Sequence, residues 1–288
     1  MRSRSPRRFA ALVAVAALTL AAACGDSDGD DLDSGSGSGM DDATATTADA
    51  ADIEETVEEG TLTVCTDIPY APFEYEEDGE VKGIDVDLMR ALAAKLGLEA
   101  EFRDTDFDGI FASLEAGNCD VIASSVSITE ERKKENDFTD GYFEIQQSLL
   151  VREGEEEEYA DFASLKGRTI GVQSETTGAA FATEECEQAG CEIKEFTGAD
   201  DLFTALKAKQ IDGVVQDFPI NSYNAETTGD TVVSATFDGE EAEEYGFVVP
   251  KDKPKLLEAL NTALGELRED GEYDEILEEY LGAEATSS

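Results

Sequence analysis

The sequence predicts an α/β protein built from two similar lobes, and three observations predict it. The stretch FASLEAGNCD, Phe111 to Asp120, recurs as FTALKAKQID, Phe203 to Asp212, with Phe, Leu, Ala and Asp at matching offsets. Each copy reads as an amphipathic helix, a polar turn opened by Gly117 or Lys209, and an apolar strand, Val121-Ile122-Ala123 or Val214-Val215. Leu62 to Asp67 likewise aligns with Ile170 to Glu175, each a strand that precedes its repeated unit and ends in an acid. Around both copies strands and helices alternate, which points to parallel sheets. Ligands of open α/β sheets sit at the carboxyl ends of strands, and the repeat carried forward sets Ser125 of the first copy on Asp217 of the second. Two half-sites facing each other are the expectation.

The chain opens with Arg2, Arg4, Arg7 and Arg8, followed by an apolar run from Ala10 to Ala23. Residues 1–23 are therefore expected to be an export signal peptide, the run being too short for an ordinary membrane span. Ala21-Ala22-Ala23 directly before Cys24 resembles a lipoprotein cleavage site, with Ala21 where such sites usually carry Leu, so Cys24 is expected to be lipidated. Arg7-Arg8-Phe9 lacks the surroundings of a twin-arginine signal. Residues 24–59 are rich in Asp, Gly, Ser, Ala and Thr, have no Lys or Arg, and are expected to form a disordered acidic tether. Asp26, Asp28 and Asp30 imitate the start of a calcium loop, but Gly37 stands where that loop needs a glutamate, and no metal is expected.

The body then gives strand 62–66, helix 84–96 closed by Gly97, strand 99–102, helix 107–116 and strand 121–123. A second series follows: strand 169–172, helix 179–189, strand 192–196, helix 201–208 and strand 213–215. A last strand, 246–249, leads into helices 255–269 and 273–280. Glu144 to Val151 and Glu243 to Phe247 are the candidates for two crossing segments forming a hinge, which sets lobe 1 at 60–145 with 244–283 and lobe 2 at 146–243.

The formal net charge of -47, from 68 acidic and 21 basic side chains, speaks against nucleic acid, which requires a basic groove. Spread along the chain, the acids read as a solvated surface suited to a salty or alkaline exterior. The sequence has no histidine, which removes Ser-His-Asp and Cys-His hydrolysis and any histidine-based metal site. Cys186 and Cys191 are close enough to bridge in an oxidising exterior. Cys65 ends one strand and Cys119 begins another, so if those strands are parallel neighbours their sulfurs fall at opposite ends, and both are expected as buried free thiols.

Three motifs carry a resemblance. Val64-x-Thr66-Asp67-x-x-Tyr70-Ala71-Pro72-Phe73, then Gly83-Ile84-Asp85-Val86-Asp87-Leu88, then Ser125-Val126-Ser127-Ile128-Thr129-Glu130-Glu131-Arg132 resemble, in that order, the family 3 extracellular solute-binding proteins, the amino-acid receptors of ATP-driven importers. The similarity spans about residues 60 to 283. It implies a two-lobed periplasmic-binding-protein fold of type II-like topology, with two crossing hinge strands and flytrap closure. Ser127-Ile128-Thr129-Glu130 by itself fits a capping box, and Arg132 by itself is an ordinary surface residue; the resemblance implies that Arg132 holds the ligand α-carboxylate while Ser125 and Ser127 add hydroxyl and backbone contacts. Asp217 would otherwise be a turn residue before Pro219; the resemblance gives it the ligand ammonium. Thr176 and Thr177 match the family's Gly-Thr-Thr loop, with Glu175 in place of the glycine. Asp67, Tyr70 and Phe107, with Gln173 and Gln216 across the cleft, match positions around the ligand side chain.

The resulting expectation is a monomeric, exported, lipid-anchored receptor without cofactor or enzymatic activity, taking a polar or cationic amino acid and serving a membrane permease and ATPase. Asp67 suits a cationic or amide side chain, whereas no base except Arg132 would partner an acidic one. Asp140 to Phe143 resembles the glutamine-type branch, but Gln173 stands where glutamine receptors carry lysine. An ectoine-like osmolyte is a ligand alternative. A cyclohexadienyl-dehydratase-like enzyme is another, with Glu175 the acid available as general acid.

Overall fold

The computed structural model describes residues 53–237 and 243–282. The expected signal peptide, Cys24 and the tether as far as residue 52 lie outside the described residues. Residues 53–59, which composition assigns to the tether, are instead bound to the first lobe. Ile53 packs on its core, and the Glu54 carboxylate accepts from the N–H groups of Lys255 and Leu256 at 3.2 and 2.9 Å. The start of a helix leaves amides without partners, so the acid that marks a tether in composition also serves as a cap.

The first sheet is formed by β1 (Thr61–Thr66), β4 (Glu99–Asp104), β5 (Val121–Ile122), β6 (Asn136–Phe138) and β14 (Val248–Pro250) in the order β4-β1-β5-β14-β6, while β2 (Tyr75–Glu77) and β3 (Glu80–Lys82) form a separate hairpin. The second has the order β10-β9-β11-β8-β12, formed by β8 (Gln147–Arg152), β9 (Thr169–Gln173), β10 (Glu192–Phe196), β11 (Gly213–Asp217) and β12 (Thr231–Phe237). In each sheet the first three strands pair parallel, the fourth pairs antiparallel with the third and the fifth antiparallel with the fourth, so the parallel pairing expected from sequence accounts for three strands of five. The repeated stretches occupy the same place in both sheets. Helix α2 (Phe107–Glu115) leads to β5 and helix α5 (Ala199–Lys207) leads to β11, each the third strand of its sheet. Their turns match as well: Gly117 has φ 71° and Lys209 has φ 59°. A side chain in that left-handed region costs about 1 kcal/mol, so Lys209 keeps the geometry under strain.

The lobes are joined by β7 (Phe143–Ile145) and β13 (Glu243–Tyr245), which pair antiparallel. Each crossing strand leads within two residues into the fourth strand of the sheet it enters, β7 into β8 and β13 into β14. The segment Glu144 to Val151, read from sequence as a crossing, is thus mostly strand β8 of the second sheet. The expected capped helix at Ser127 is absent. Helix α3 (Arg132–Glu135) begins five residues later, and Thr129 Oγ1 accepts from the Arg132 N–H at 3.2 Å.

Helix α1 (Ile84–Lys95), helix α7 (Pro254–Asp270) and helix α8 (Glu272–Leu281) cover one face of the first sheet through Leu88, Leu92, Leu260 and Leu264. Gly83 opens α1 at φ 129°, where a Cβ would lie 2.0 Å from the Phe73 carbonyl oxygen, so only glycine permits this entry. In the second sheet successive residues serve opposite faces: Leu149, Val151 and Val215 pack under helix α4 (Thr177–Ala189), while Leu150 and Val214 pack under α5.

Cys186 and Cys191 are joined, closing the end of α4. Cys65 and Cys119 are also joined, against the expectation of free thiols, with their Cα atoms 5.7 Å apart. The reason lies in β5, whose pairing with β1 involves only Val121 and Ile122. Cys119 belongs to the turn before the strand, and both sulfurs lie in the apolar cluster of Phe107, Ile110 and Leu114 under α2.

Candidate functional site

One cavity between the lobes is lined by Asp67, Tyr70, Phe107, Ser124, Ser125, Ser127 and Arg132 from the first lobe. Gln173, Thr176, Thr177 and Asp217 line it from the second. Most stand just past the carboxyl end of a strand or at the start of a helix, whereas Tyr70 and Ser127 lie in loops. Asp67 follows β1, Ser124 and Ser125 follow β5, Gln173 ends β9, and Asp217 ends β11. The two repeats thereby deliver Ser125 and Asp217 to the same cavity, as their offset predicts.

Arg132 is held at the first-lobe rim. Its guanidinium donates to the Ser127 carbonyl at 2.9 Å and, across the cleft, to the Glu175 carbonyl at 3.0 Å. It lies over the rings of Phe107 and Phe111, at 5.6 and 5.4 Å from their centroids. Phe111, the first residue of the repeat, is thus a support of this arginine that sequence reasoning did not assign; its spacing of four from Phe107 on one helix face was the available signal. Burial lowers the Arg132 pKa, and the acid acting most strongly against that is Asp217. The guanidinium remains charged over any working pH, because its ordinary value is so high.

Facing it, helix α4 is capped by Thr176, whose hydroxyl accepts from the Ala179 N–H at 3.0 Å. Thr177 follows, 3.3 Å from the Ser127 hydroxyl. The free amides and positive end of a 13-residue helix therefore converge with a guanidinium, an arrangement suited to a carboxylate. Glu175, just before this start, has φ 62°, a strained geometry at the place where a glycine is usual. Its side chain is exposed and does not line the cavity; only its carbonyl meets Arg132. That arrangement gives no support to Glu175 as a general acid.

Asp217 is buried and accepts three hydrogen bonds, from Tyr70 at 2.9 Å, Tyr245 at 2.5 Å and Gln147 at 2.6 Å. Burial raises its pKa, and the hydrogen bonds oppose that, Tyr245 most strongly. Gln147 and Tyr245 come from β8 and from the hinge strand β13, so they meet Asp217 only through the way the crossings are folded; no local motif announces them. At the other end, Asp67 accepts from Gln173 Nε2 at 2.6 Å. Burial lifts the Asp67 carboxyl to about 6, with Asp104 and Asp106 adding to the rise and Gln173 opposing it.

Ten of the eleven positions expected around a ligand therefore border one cavity, together with Ser124, which the polar run after β5 could have added. Gln216 does not border it: it is buried on the opposite side of β11 from Asp217, as alternation along a strand requires. Among the described residues no group of His, Cys, Asp and Glu is arranged to hold a metal ion, and no helix is long and apolar enough to cross a membrane.

Comparison with known proteins agrees with this architecture. The chain is 30% identical over 240 residues to the L-cystine-binding protein TcyJ of Escherichia coli (strain K12), covering 83% of this chain and 89% of that one. It is 33% identical over 223 residues to a probable histidine-binding protein of Neisseria gonorrhoeae, covering 77% and 83%. Among solved structures, an ancestral arginine-binding protein bound to arginine is 36% identical with a TM-score of 0.73, covering 77% of this chain and 99% of that one. The ancestral amino acid-binding protein AncCDT-1, a precursor of cyclohexadienyl dehydratase, is 34% identical with a TM-score of 0.72, covering 77% and 95%. The model of one family matches residues 62–283, and with it the chain belongs to the bacterial extracellular solute-binding proteins, family 3.

Proposed function

We propose that this protein is the extracellular receptor of an ABC importer for an amino acid with a cationic or polar side chain. The observation that carries the reading is the pair of opposite charges, Arg132 and Asp217, placed by different lobes on one cavity. Arg132, Ser125, Ser127, Thr176 and Thr177 take the α-carboxylate and Asp217 takes the α-ammonium. Tyr70 and Phe107 flank the side chain, and Asp67 with Gln173 meets its polar end. Relatives named for histidine and cystine, and a structural neighbour bound to arginine, support the class without choosing within it. The acid at Asp67 favours arginine, lysine or histidine over glutamine.

In this reading the lobes, residues 60–145 with 244–283 and residues 146–243, close on the ligand by rotation about β7 and β13. The closed form is what a membrane permease and its ATPase would recognise. Export by residues 1–23 and lipidation of Cys24 would hold a monomeric receptor at the outer face of the cytoplasmic membrane.

A thermal-shift screen of arginine, lysine, histidine, glutamine, cystine, ectoine and prephenate tests the reading. A ligand at a hundred times its Kd stabilises by about 2.7 kcal/mol, or roughly 5–10 °C for a body of this size. Stabilisation by a cationic amino acid is expected. No shift with any amino acid would overturn the receptor reading, a shift with ectoine alone would reassign the ligand, and consumption of prephenate would make the protein an enzyme.

A further inference from the structure

Beneath the serine edge of the cavity lie two carboxyls that contribute nothing to its lining. Glu74 and Asp85 are both completely buried, and among the described residues neither forms an ion pair. Glu74 accepts from the Ser124 hydroxyl at 3.0 Å and the Ser125 hydroxyl at 3.4 Å. Asp85 accepts from the Ser125 N–H at 2.8 Å and from the Tyr142 hydroxyl at 2.6 Å. Ser125 is therefore gripped twice, by its hydroxyl and by its amide, and it is one of the few non-glycine residues with positive φ, at 48°. Such a conformation persists only where its surroundings over-determine it. Ser124 extends the same grip, since its oxygen also accepts from the Asp67 N–H at 2.9 Å.

We propose that Glu74 and Asp85 act as one positioning unit, sharing a single proton, that holds Ser125 in its left-handed conformation and so sets the serine edge of the ligand cleft. Two buried carboxyls without a cation cannot both ionise at ordinary cost, whereas one proton between them leaves a single negative charge with several donors. Burial raises both carboxyls, and for Glu74 the neighbouring Asp85 adds to the rise. The titratable groups facing them are Asp67 after β1, Tyr70 in the loop that follows, and Tyr142 ahead of β7, with Tyr273 of α8 beyond Tyr142. The unit also reaches the hinge, because the Tyr142 N–H donates to the Tyr245 carbonyl at 2.8 Å.

The inference rests on the proposed use of the cleft, and the experiment separates the two. Infrared spectra of the full chain at pH 8 should show a protonated-carboxyl C=O band that is lost in Glu74→Gln, where Asp85, which burial raises only to about 7, keeps its donors and ionises. Calorimetry uses L-arginine as probe, or whichever amino acid the screen selects, from pH 7 to 9. Glu74→Gln is expected to retain affinity within about threefold, and Glu74→Ala to lose about tenfold or more. The wild-type affinity relative to Glu74→Gln should fall as pH rises, a ratio in which titration of the ligand ammonium cancels. Absence of the band overturns the shared proton. Unchanged affinity in Glu74→Ala, with a flat ratio, overturns the positioning role alone, whereas a wild type that binds no amino acid withdraws the receptor reading together with it.

Discussion

Replacing Arg132 by alanine tests the core of the proposed site. The guanidinium is half-buried, spans the cleft between the Ser127 and Glu175 carbonyls, and rests on two phenylalanine rings. A ligand carboxylate meeting it would form a desolvated, hydrogen-bonded charge pair. Truncating one side of such a pair costs about 2–5 kcal/mol, or roughly 30-fold to several thousand-fold in Kd. Folding should suffer far less, because the lost hydrogen bonds and ring contacts are offset by the removal of a cation that burial already penalises; a change within about 2 kcal/mol is expected. Arg132→Lys keeps the charge but not the planar fork and should fall between the two. Isothermal calorimetry with the amino acid selected by the screen measures the affinity, and urea unfolding without ligand measures the stability. An Arg132→Ala protein that binds within threefold of wild type would refute the assignment, and one that loses binding only because it unfolds would remove the evidence for it.

Further outcomes follow from burial, backbone strain and covalent links. The Asp67 carboxyl is raised in the folded state to about 6, so the folded protein holds a proton that the unfolded chain has released. Its contribution to stability therefore falls as pH rises from about 4 to 6, by about 3 kcal/mol, and is flat above; urea midpoints should show this slope in wild type and lose it in Asp67→Asn. Lys209→Gly should raise stability by up to about 1 kcal/mol by relieving the left-handed strain at φ 59°, and a lower melting temperature would contradict that account. Opening the Cys65–Cys119 link by a double alanine substitution should cost about 4 kcal/mol for its separation of 54 residues, against about 2 for Cys186–Cys191 with its separation of 5; equal losses would discount chain entropy as the cause. With a net charge of -47, the melting temperature should rise between low and molar NaCl, and a flat profile would sink the proposed adaptation to salt.

The parts of the fold that could be read in advance are those with local periodicity. Helices α1, α2, α4, α5 and α7 each place their apolar residues on one stripe, and β1, β9 and β11 are short, largely apolar runs next to helices. Strand β8 escaped because it follows a crossing and lies antiparallel, with no helix of its own to complete a β–α–β pattern. Helix α6 (Phe218–Thr228) escaped because little of it is buried beyond Ile220 and Asn221, so it has no stripe. Within the site, Arg132, Asp217 and Asp67 were legible through the motifs that resemble the family. Asp85 falls inside one of those motifs and Glu74 directly follows another, but the serines they hold lie 40 or more residues away. The Cys65–Cys119 link was misjudged for a related reason: the length of β5, only two residues, is decided by how the turn before it folds onto α2.

Asp217 carries two oxygens with about four acceptor directions, and Tyr70, Tyr245 and Gln147 already take three of them. One direction remains for an arriving ammonium. Under the proposed reading, Arg132 fixes the carboxylate from a second direction and Asp67 the side chain from a third, and these three groups stand on different elements of the two lobes. Three anchored substituents around a tetrahedral carbon define its hand. On that reading the crowding of Asp217 makes the site a reader of chirality: a D-amino acid that kept its two charged ends in place would send its side chain away from Asp67.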